Sequence, residues 1–505
     1  MSEKTRRAAP KATAMIEALR GLGYSTATAL ADIVDNSIAA CANQVDILFS
    51  WDGFKSTICV LDNGVGMNDQ ELELAMRLGE KSPLEIRTTD DLGRFGLGLK
   101  TASFSQCRKL TVASCKDSVI SCLRWDLDIL AASKDDGWYL LEGPSIGSEK
   151  LLLPLEKYAA GTIVVWENLD RVVTPSFYEQ DFLDVVDKVE HHLAMVFHRF
   201  IVGPKTRLTL TINGRSVEPW DPFLTNNTAT WSSPVARIQS EGGEVRVQCF
   251  VLPHKDRLSE NELEFAAGPD GWTAQQGFYV YRNERLLVAG SWLGLGRGRS
   301  WTKEEPHRLA RIRLDLPNTA DAIWKIDVRK STARPPASIR ERLTRIAEDT
   351  RDRARRVFAH RGQLQRAGHG ATLEEVWRVE HFKGVIRYRI DKNHPAVKVL
   401  LEDVAGTTNE LQLLTMLRVI EETIPVQRIW LDTAEAHETP RTGFADEPTA
   451  EVNAILMVMY KNMITLKGVS PLLAKAQLLR TEPFNNYPEL VKSLPDSISQ
   501  QESKD

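Results

Sequence analysis

The chain of 505 residues lacks several features that define common classes of protein. It has no apolar run near the ~20 residues that a membrane-spanning helix requires. The polar stretch after Arg6 and Arg7 does not resemble a signal-peptide core. The net charge of −4 excludes a globally basic nucleic-acid binder but leaves room for a local basic patch. At this length we expect two to four domains and no membrane segment.

Cysteine is sparse and shows no metal or disulfide pattern. The six cysteines include no C-x-x-C pair, and no histidine stands at zinc-finger spacing from them. We therefore expect free thiols in a reducing cytoplasm. His191, His192 and His198 fall in one predicted helix without an acidic or Cys residue at ligand spacing, so we interpret them as core or surface residues. The C-terminal part likewise contains no nuclease or zinc motif.

Two common phosphate-binding motifs are also absent, although glycine-rich segments are present. The segment Gly93–Lys100 fits neither G-x-x-x-x-G-K-[ST] nor a Rossmann fingerprint with its acidic partner. Its three glycines precede a predicted helix from Leu99 to Ser105, whose N-terminus offers N–H groups and positive potential to phosphates. With the loop from Gly79 to Asp91 before it, this segment is predicted to close over a nucleotide as a lid.

A predicted helix over residues 26–41 carries a polar pair. Asp32 and Asn36 are four residues apart, so they share one face of that helix. A carboxylate there can orient a water, and the carboxamide oxygen one turn on can ligate Mg²⁺ held by a triphosphate. A solvated polar face is the alternative interpretation of the same pair.

A second acidic segment follows a short predicted strand. Asp62 at the strand's end can accept a hydrogen bond from an exocyclic amine, and Gly64 and Gly66 let a planar base approach the backbone before Met67. A calcium loop is the rival interpretation, but its further acidic ligands are missing. Thr162 begins another predicted strand, and its hydroxyl can join Asp62 and a water at the adenine edge.

Together these motifs resemble the Bergerat fold of the GHKL ATPases, the superfamily of gyrase B, heat-shock chaperones, histidine kinases and MutL. The resemblance covers residues 25–170, and residues 93–103 and 161–169 are most similar to MORC-type ATPases. It implies ATP as ligand, Mg²⁺ at Asn36 and adenine recognition by Asp62 with Thr162. The residues it implies at the nucleotide are Asn36, Asp62, Gly64, Gly66, Met67, Gly93, Arg94, Phe95, Gly96, Leu97, Gly98, Leu99, Lys100 and Thr162.

Two positions bear on catalysis. The family's general base is usually Glu, and this chain has Asp32 there, one methylene shorter; a misplacement of about 1 Å can cost on the order of 100-fold in rate. The resemblance thus implies slow hydrolysis, with ATP binding without turnover as the alternative. The phrase from Trp324 to Ser331 is similar to the MutL phrase whose lysine reaches the γ-phosphate. Lys330 is our first choice for that role, Lys325 the reserve, and a surface lysine the alternative.

We expect an α+β chain with several domains. Strands are predicted at Arg207–Ile212, Val245–Leu252, Phe278–Arg282 and Arg311–Leu316, all in the second domain. The predicted domains are a Bergerat-type α/β sandwich ATPase (1–172), a transducer-like α/β domain (173–334), a basic linker helix and hinge (335–370), a helix-rich C-terminal domain of unknown function (371–495) and a disordered tail (496–505).

Two basic stretches are candidate DNA contacts. The loop 297–313 has five arginines, with Trp292 and Trp301 nearby to stack on bases, and helix 337–361 has eight arginines against four acidic residues. A solvated helix is the alternative for the latter. The resemblance implies an ATP-dependent homodimer that clamps DNA, in a DNA-surveillance or phage-defence complex with helicase, nuclease or methylase partners. The alternatives are a chaperone-like ATPase and a non-hydrolysing ATP-gated regulatory module.

Overall fold

The structure is a computed structural model of the chain. It describes residues 11–79, 98–133, 137–202, 208–320, 323–327, 330, 332–359, 375–382, 385–426, 429, 450–465, 468–481, 484 and 487–496. Contacts divide the chain into two units, residues 1–362 and 363–505, each described here by itself. No helix among these residues is long and apolar enough to cross a membrane. The finer domain boundaries given above stay predictions.

The first unit contains an eight-stranded sheet in the order β5-β4-β3-β6-β2-β1-β7-β8. Its strands are β1 (Gln44–Ser50), β2 (Thr57–Asp62), β3 (Lys109–Lys116), β4 (Val119–Asp126), β5 (Leu141–Glu142), β6 (Gly161–Glu167), β7 (Thr209–Ile212) and β8 (Arg215–Ser216). All neighbours are antiparallel except β1 and β7. We predicted β7 in the second domain, but it joins the first sheet because it pairs with β1 along four residues.

Helices pack on this sheet to form a sandwich. They are α1 (Ala12–Arg20), α2 (Thr26–Ala39), α3 (Asp69–Met76), α4 (Gly98–Phe104), α5 (Leu127–Ala132), α6 (Glu179–Val196) and α7 (His198–Ile201). Alternate residues of β2 point to opposite faces, so Ile58 and Val60 join the core beneath the helices. Cys59 and Leu61 join a smaller core on the other face, which the turns around Leu155 cover.

Local capping fixes where two helices of the site begin. The Ser25 side chain accepts the backbone N–H of Thr28, and Thr28 bonds back to the backbone of Ser25 at the start of α2. Asn68 and Glu71 form the same reciprocal arrangement at α3. Both are capping boxes, which satisfy N–H groups that a helix N-terminus leaves unpaired. The residues just before α2 and α3 are therefore held in defined positions.

A second sheet of the first unit has six strands, in the order β10-β11-β14-β12-β13 with β9 paired to β11. The strands are β9 (Trp231–Ser232), β10 (Ala236–Ser240), β11 (Gly243–Val251), β12 (Gly277–Arg282), β13 (Arg285–Ser291) and β14 (Ala310–Leu316), with helices α8 (Glu260–Ala267) and α9 (Ala337–Ala359). Ile339 and Leu343 of α9 enter its core. Trp324 and Ile326 lie in the same core, so the segment that leads to Lys330 is anchored on this sheet.

The second unit combines a two-stranded antiparallel sheet with helices. Its described elements are β15 (Trp377–Phe382), β16 (Val385–Ile390), α10 (Pro395–Val404), α11 (Thr408–Glu422), α12 (Ala450–Thr465), α13 (Pro471–Leu478) and α14 (Pro488–Lys492). Apolar residues of the last three helices, among them Leu456, Leu478 and Val491, form its core. The α+β class, with an N-terminal sandwich and a helix-rich C-terminal region, is confirmed.

Candidate active site

The helix α2 brings Asp32, the first residue of the polar pair, to the start of α4. The Asp32 side chain is buried, whereas Asn36, one turn further along, is exposed. A Cβ built on Gly98, the first residue of α4, would lie 3.8 Å from Asp32 Oδ2, so α4 begins beside this carboxylate. Gly93, Arg94, Phe95, Gly96 and Leu97, together with residues 80–91 of the predicted lid, lie outside the described residues.

Asp62 is the last residue of β2 and lies opposite Thr162 of β6. The Gly64 N–H donates to Asp62 Oδ1 at 2.9 Å, and the Ser37 hydroxyl of α2 donates to Oδ2 at 2.8 Å. Burial raises the pKa of Asp62 above its usual value, although these hydrogen bonds act in the opposite direction. The site therefore holds a buried carboxylate in a fixed orientation, and no cation among the described residues forms an ion pair with it.

Ser114 of β3 connects the other residues predicted at the adenine. Its hydroxyl donates to Gly161 O at 3.0 Å, accepts the Met67 N–H at 2.8 Å, and lies 2.9 Å from Thr162 Oγ1. The structure thus brings Asp62, Met67 and Thr162 together at the ends of β2, β3 and β6. Ser114 had no signal in the sequence beyond its place in a strand.

The two glycines after Asp62 are required by the protein's own backbone. A Cβ on Gly64 would lie 2.8 Å from Ala40 O at the end of α2. Gly66 has φ of +66°, and a Cβ there would lie 1.8 Å from Cys115 O. Because a side chain fits at neither position, this loop can lie against α2 and β3 only with glycine.

Lys330 brings a cation from the second sheet's region to α2. Its Nζ lies 2.9 Å from Asp32 Oδ1 and 2.5 Å from Asp35 Oδ2, and all three side chains are buried. Lys325, the reserve choice, is exposed. Lys330 is thus the lysine of this segment that meets Asp32, although it stands 298 residues away in sequence.

Arg285, at the start of β13, completes a buried group of four charges. Its Nε lies 3.0 and 2.9 Å from the two oxygens of Asp35, and Nη2 is 3.8 Å from Asp32 Oδ1. Burial alone would raise the pKa of Asp35, but Arg285 and Lys330 together hold it below the usual value. Two carboxylates and two cations balance, so the cluster carries no net charge.

The sequence analysis assigned no role to Asp35 or Arg285, and it also missed Tyr24. Asp35 lies between Asp32 and Asn36 on α2. Arg285 stands in a hairpin without any distinguishing pattern. Tyr24, just before α2, donates its hydroxyl to Asp32 Oδ2 at 3.0 Å. The spacing of eight residues between Tyr24 and Asp32 is a weak signal, because it depends on how the chain enters the helix.

Leu99 and Lys100, the last two residues of the predicted phosphate loop, make different contacts. Leu99 is half-buried, and its carbonyl accepts the Ser103 hydroxyl within α4. Lys100 is buried and donates its Nζ to Ala75 O at 2.8 Å, near the end of α3. The last-turn carbonyls of a helix attract cations, so this contact ties α4 to α3.

The residues present fit a magnesium ion that is bound together with a triphosphate. The Asn36 side chain is exposed and makes no hydrogen bond with the described residues, so its carboxamide oxygen can serve as a ligand. Within the described part of the chain, no three His, Cys, Asp or Glu side chains converge as a metal cage. Mg²⁺ usually takes few protein ligands beside phosphate oxygens and waters, which suits this arrangement.

His198, one of the three histidines noted in the sequence, is buried with Nε2 2.8 Å from the Tyr281 hydroxyl.

The basic loop 297–313 differs from our expectation. Arg311 is fully buried, Arg313 is half-buried against Gln248, and Arg308 packs beside Trp272 and Phe358. These three arginines belong to the second sheet and its packing, so their assignment to DNA contact was wrong.

Trp292, before the loop, and Trp301, within it, already pack against protein side chains. Trp292 is buried, and the Arg351 guanidinium lies 4.7 Å from the ring centroids of both Trp292 and Trp301. Stacking of these rings on bases is therefore not supported. Arg297 and Arg299 remain exposed, and a groove of about 560 Å³ runs between this loop and α9.

Comparison with known proteins identifies the class to which this site belongs. Residues 24–162 match the family described as Histidine kinase-, DNA gyrase B-, and HSP90-like ATPase. This part of the chain is therefore a GHKL-type ATPase domain, which implies ATP binding. A stretch of 100 residues is 33% identical to ATPase MORC2B of Mus musculus, and covers 19% of this chain. The match spans 10% of the length of that curated relative.

Proposed function

We propose that this chain is a slowly hydrolysing ATPase that acts as a conformational clamp, closed by ATP and reset by hydrolysis. The buried contact between Lys330 and Asp32 carries this proposal. It connects a segment anchored on the second sheet with the helix of the ATPase domain that faces the phosphates. A γ-phosphate that attracts Lys330 would therefore change how the two sheets of the first unit are held together.

Adenine binding is assigned to Asp62 with Thr162. The Asp62 carboxylate, held by the Gly64 N–H and the Ser37 hydroxyl, accepts the exocyclic amine. Thr162 reaches the same edge from the neighbouring strand, where a water completes the contact. Met67 and the glycines of the loop supply the surface against the base.

Asp32 serves as the general base. It takes a proton from the attacking water, whose oxygen bonds to the γ-phosphorus as the bond to ADP breaks. Lys330 exchanges its contacts with Asp32 and Asp35 for the γ-phosphate and stabilises the charge that develops there. Arg285 stays on Asp35, so this carboxylate keeps a cation when Lys330 leaves. The short Asp32 side chain is the reason to expect slow turnover.

Asn36 would hold the magnesium ion through its exposed carboxamide oxygen. When bound, the ion neutralises charge on the phosphate oxygens. Gly98 and Leu99, at the start of α4, would face the same phosphates with backbone N–H groups. The lid residues 93–97 are proposed to complete this contact.

One experiment tests the clamp with the full chain. We expect sedimentation velocity to show a dimer with Mg²⁺ and a non-hydrolysable ATP analogue, but not with ADP. Asp32→Asn is expected to dimerise with ATP itself and to remain dimeric, because the reset step is slow. Asn36→Ala is the matched variant that loses Mg²⁺-ATP binding and stays monomeric. A parent chain that does not change its association state would contradict the clamp while leaving ATP binding intact.

The exposed arginines on and beside α9 favour DNA as the substrate of the clamp. Arg297, Arg340 and Arg345 line the groove between the loop and α9, and Arg340 has no ion-pair partner among the described residues. Arg297 pairs with Glu348 and Arg345 with Glu341, so part of the charge is compensated. We propose contact with DNA phosphates here, in a surveillance complex with helicase, nuclease or methylase partners.

Salt dependence separates this substrate from a protein client. Each lost phosphate contact should reduce the slope of log affinity against log salt by about 1. We therefore expect the triple variant Arg297→Gln, Arg340→Gln, Arg345→Gln to flatten the slope by about 3. A control triple variant, Arg353→Gln, Arg355→Gln, Arg356→Gln, removes an equal charge outside the groove. It should change the slope of log affinity against log salt less. Salt-insensitive binding to unfolded protein would favour the chaperone-like alternative instead.

A further inference from the structure

The two oxygens of Asp32 have different partners. Lys330 lies on Oδ1 at 2.9 Å, and the Tyr24 hydroxyl donates to Oδ2 at 3.0 Å. Oδ2 is also the oxygen that faces Gly98 at the start of α4. The oxygen nearer to the predicted phosphates is therefore the one that Tyr24 holds.

Tyr24 is itself held firmly. Its side chain is buried, and its carbonyl accepts the Gln106 side-chain amide at 3.3 Å. The next residue, Ser25, is the N-cap of α2 and is fixed by its capping box. Thr101 of α4 is a second hydrogen-bond partner of the Tyr24 hydroxyl. This hydroxyl thus joins the base on α2 to the helix that begins at the phosphate loop.

The two contacts on Asp32 respond differently to ATP in the mechanism proposed above. Lys330 leaves Oδ1 for the γ-phosphate, and Arg285 Nη2, at 3.8 Å from Oδ1, is too distant for a hydrogen bond. Tyr24 belongs to the ATPase domain and remains on Oδ2. Among the residues that the structure describes, it is thus the hydrogen-bond donor that stays on this carboxylate at the moment of hydrolysis.

A remaining donor matters because the carboxylate of Asp rotates easily. The torsion between Cβ and the carboxylate carbon of Asp has a broad preference, so packing alone fixes it poorly. A base must stand within hydrogen-bond reach of the proton that it takes, and a small misplacement lowers the rate strongly. A hydrogen bond to one oxygen fixes the plane of both and leaves a further lone pair on Oδ2 for the water.

Tyr24 remains a donor under working conditions. Burial, together with the charge of Asp32, raises the pKa of Tyr24 above its usual value. The phenol therefore stays protonated at neutral pH. Because Tyr24 does not exchange protons in this range, it orients the base and does not replace it.

The geometry points to Tyr24 as a positioning residue that aims the Asp32 carboxylate at the attacking water. This inference rests on the proposed function, in which Asp32 is the base of ATP hydrolysis. It also explains how a base one methylene shorter than the usual Glu can still be held in a defined orientation. Tyr24 does not contact the nucleotide in this assignment.

The test is Tyr24→Phe in the full chain, which removes the hydroxyl and keeps the ring. We expect kcat to fall about 10- to 100-fold, since a hydrogen bond to a charged acceptor is lost. KM for ATP and the affinity for a non-hydrolysable analogue should stay within about twofold, because binding groups are unchanged. Tyr279→Phe is the matched control: it removes another buried hydroxyl of the first unit, bonded to Gln275, and should keep the parent kcat.

A double-mutant cycle separates positioning from a structural role. If Tyr24 acts through Asp32, Tyr24→Phe should lower kcat no further in an Asp32→Asn background. Additive losses in the double variant would overturn the inference, as would a Tyr24→Phe variant with parent kcat. Equal losses in kcat and analogue affinity would overturn it too, because they would indicate a structural role.

The outcome for the parent chain keeps the two proposals distinct. Binding of Mg²⁺-ATP without any hydrolysis would overturn the proposed turnover, and the role of Tyr24 with it. Measurable parent turnover that Tyr24→Phe leaves unchanged would overturn the role of Tyr24 alone.

Discussion

The two ends of the candidate nucleotide site are built in different ways. At the adenine end, the Asp62 carboxylate is oriented by the Gly64 N–H and the Ser37 hydroxyl, both from the ATPase sandwich itself. At the phosphate end, Asp32 and Asp35 are held by Lys330 and Arg285, which belong to the region of the second sheet. One end uses neutral donors close by, and the other uses charges from far along the chain.

This difference separates binding from turnover. The proposed adenine end depends on one sheet and its helices, so in our proposal it recognises a base without help from the second sheet. The phosphate end is complete only when residues 285 and 330 reach α2. We therefore expect variants at the two ends to affect different measured quantities.

Removal of Arg285 is expected to have the largest effect, on stability. Arg285→Met leaves Lys330 as the close cation of two buried carboxylates among the described residues, and loss of one partner of a buried ion pair costs about 3–5 kcal/mol. Chemical denaturation should show a free energy of unfolding lower by this amount. Arg297→Met removes an exposed ion pair with Glu348 and should change it by less than about 1 kcal/mol. Equal effects of the two variants would mean that the buried cluster does not hold the sheets together.

Lys330→Met should reduce turnover with little effect on the adenine end. Loss of a group that stabilises transition-state charge lowers kcat on the order of 100- to 1000-fold. ADP affinity should remain within a few-fold, because ADP has no γ-phosphate for Lys330 to contact. Lys325→Met is the matched control and should keep parent kcat in a phosphate-release assay. A normal kcat in Lys330→Met would remove this lysine from the mechanism.

Asp62→Asn should give the opposite pattern. We expect ATP and ADP affinities to fall about 10- to 100-fold, as for a lost hydrogen bond to a charged group, with kcat at saturating ATP little changed. Asp126→Asn alters another buried aspartate of the same sandwich, the N-cap of α5, and should preserve affinity. Nucleotide titrations by calorimetry provide the measurement. A large fall in kcat in Asp62→Asn would mean that the two ends are not separate.

The smallest expected effect is on pH dependence. In the proposed role, Asp62 accepts the adenine amine most strongly as the carboxylate, so affinity is highest above its pKa and falls as pH falls through it. Burial raises this pKa, so the loss should begin at a higher pH than the ordinary value of about 3.9 predicts. Affinity should fall about tenfold per unit below the pKa. In Asp62→Asn, this loss of affinity at low pH should disappear. If the loss is unchanged in that variant, another group causes it.

The adenine end could be predicted from the sequence because its parts are local. Asp62 is followed at once by its glycine loop, and a strand end places Thr162 opposite. The α2 pair of Asp32 and Asn36 could be found for the same reason, since helical spacing alone sets both positions. Fold class followed from these same patterns.

Beyond the α2 pair, residues at the phosphate end could be predicted only where a resemblance supplied them. Lys330 came from a phrase similar to MutL, whereas Arg285 and Tyr24 have no local pattern. Their contacts with Asp35 and Asp32 depend on how whole elements pack, which spacing along the chain does not encode. The DNA assignment of Arg308, Arg311 and Arg313 was wrong for a related reason, because packing against the second sheet buries Arg311 and half-buries the other two.

The parallel pairing of β1 with β7 sets a lower limit on any independently folding fragment. A chain cut at residue 172 would retain every residue that we propose at the adenine but would lose β7, and β1 would become an edge with unpaired N–H and C=O groups. Such edges recruit other chains and promote aggregation. We therefore expect a fragment ending after β8, near residue 217, to stay in solution where one ending at 172 precipitates. In the shorter fragment, residues 44–47 of β1 would lose their pairing with β7. We expect cellular proteases to cleave this exposed segment if synthesis stops early.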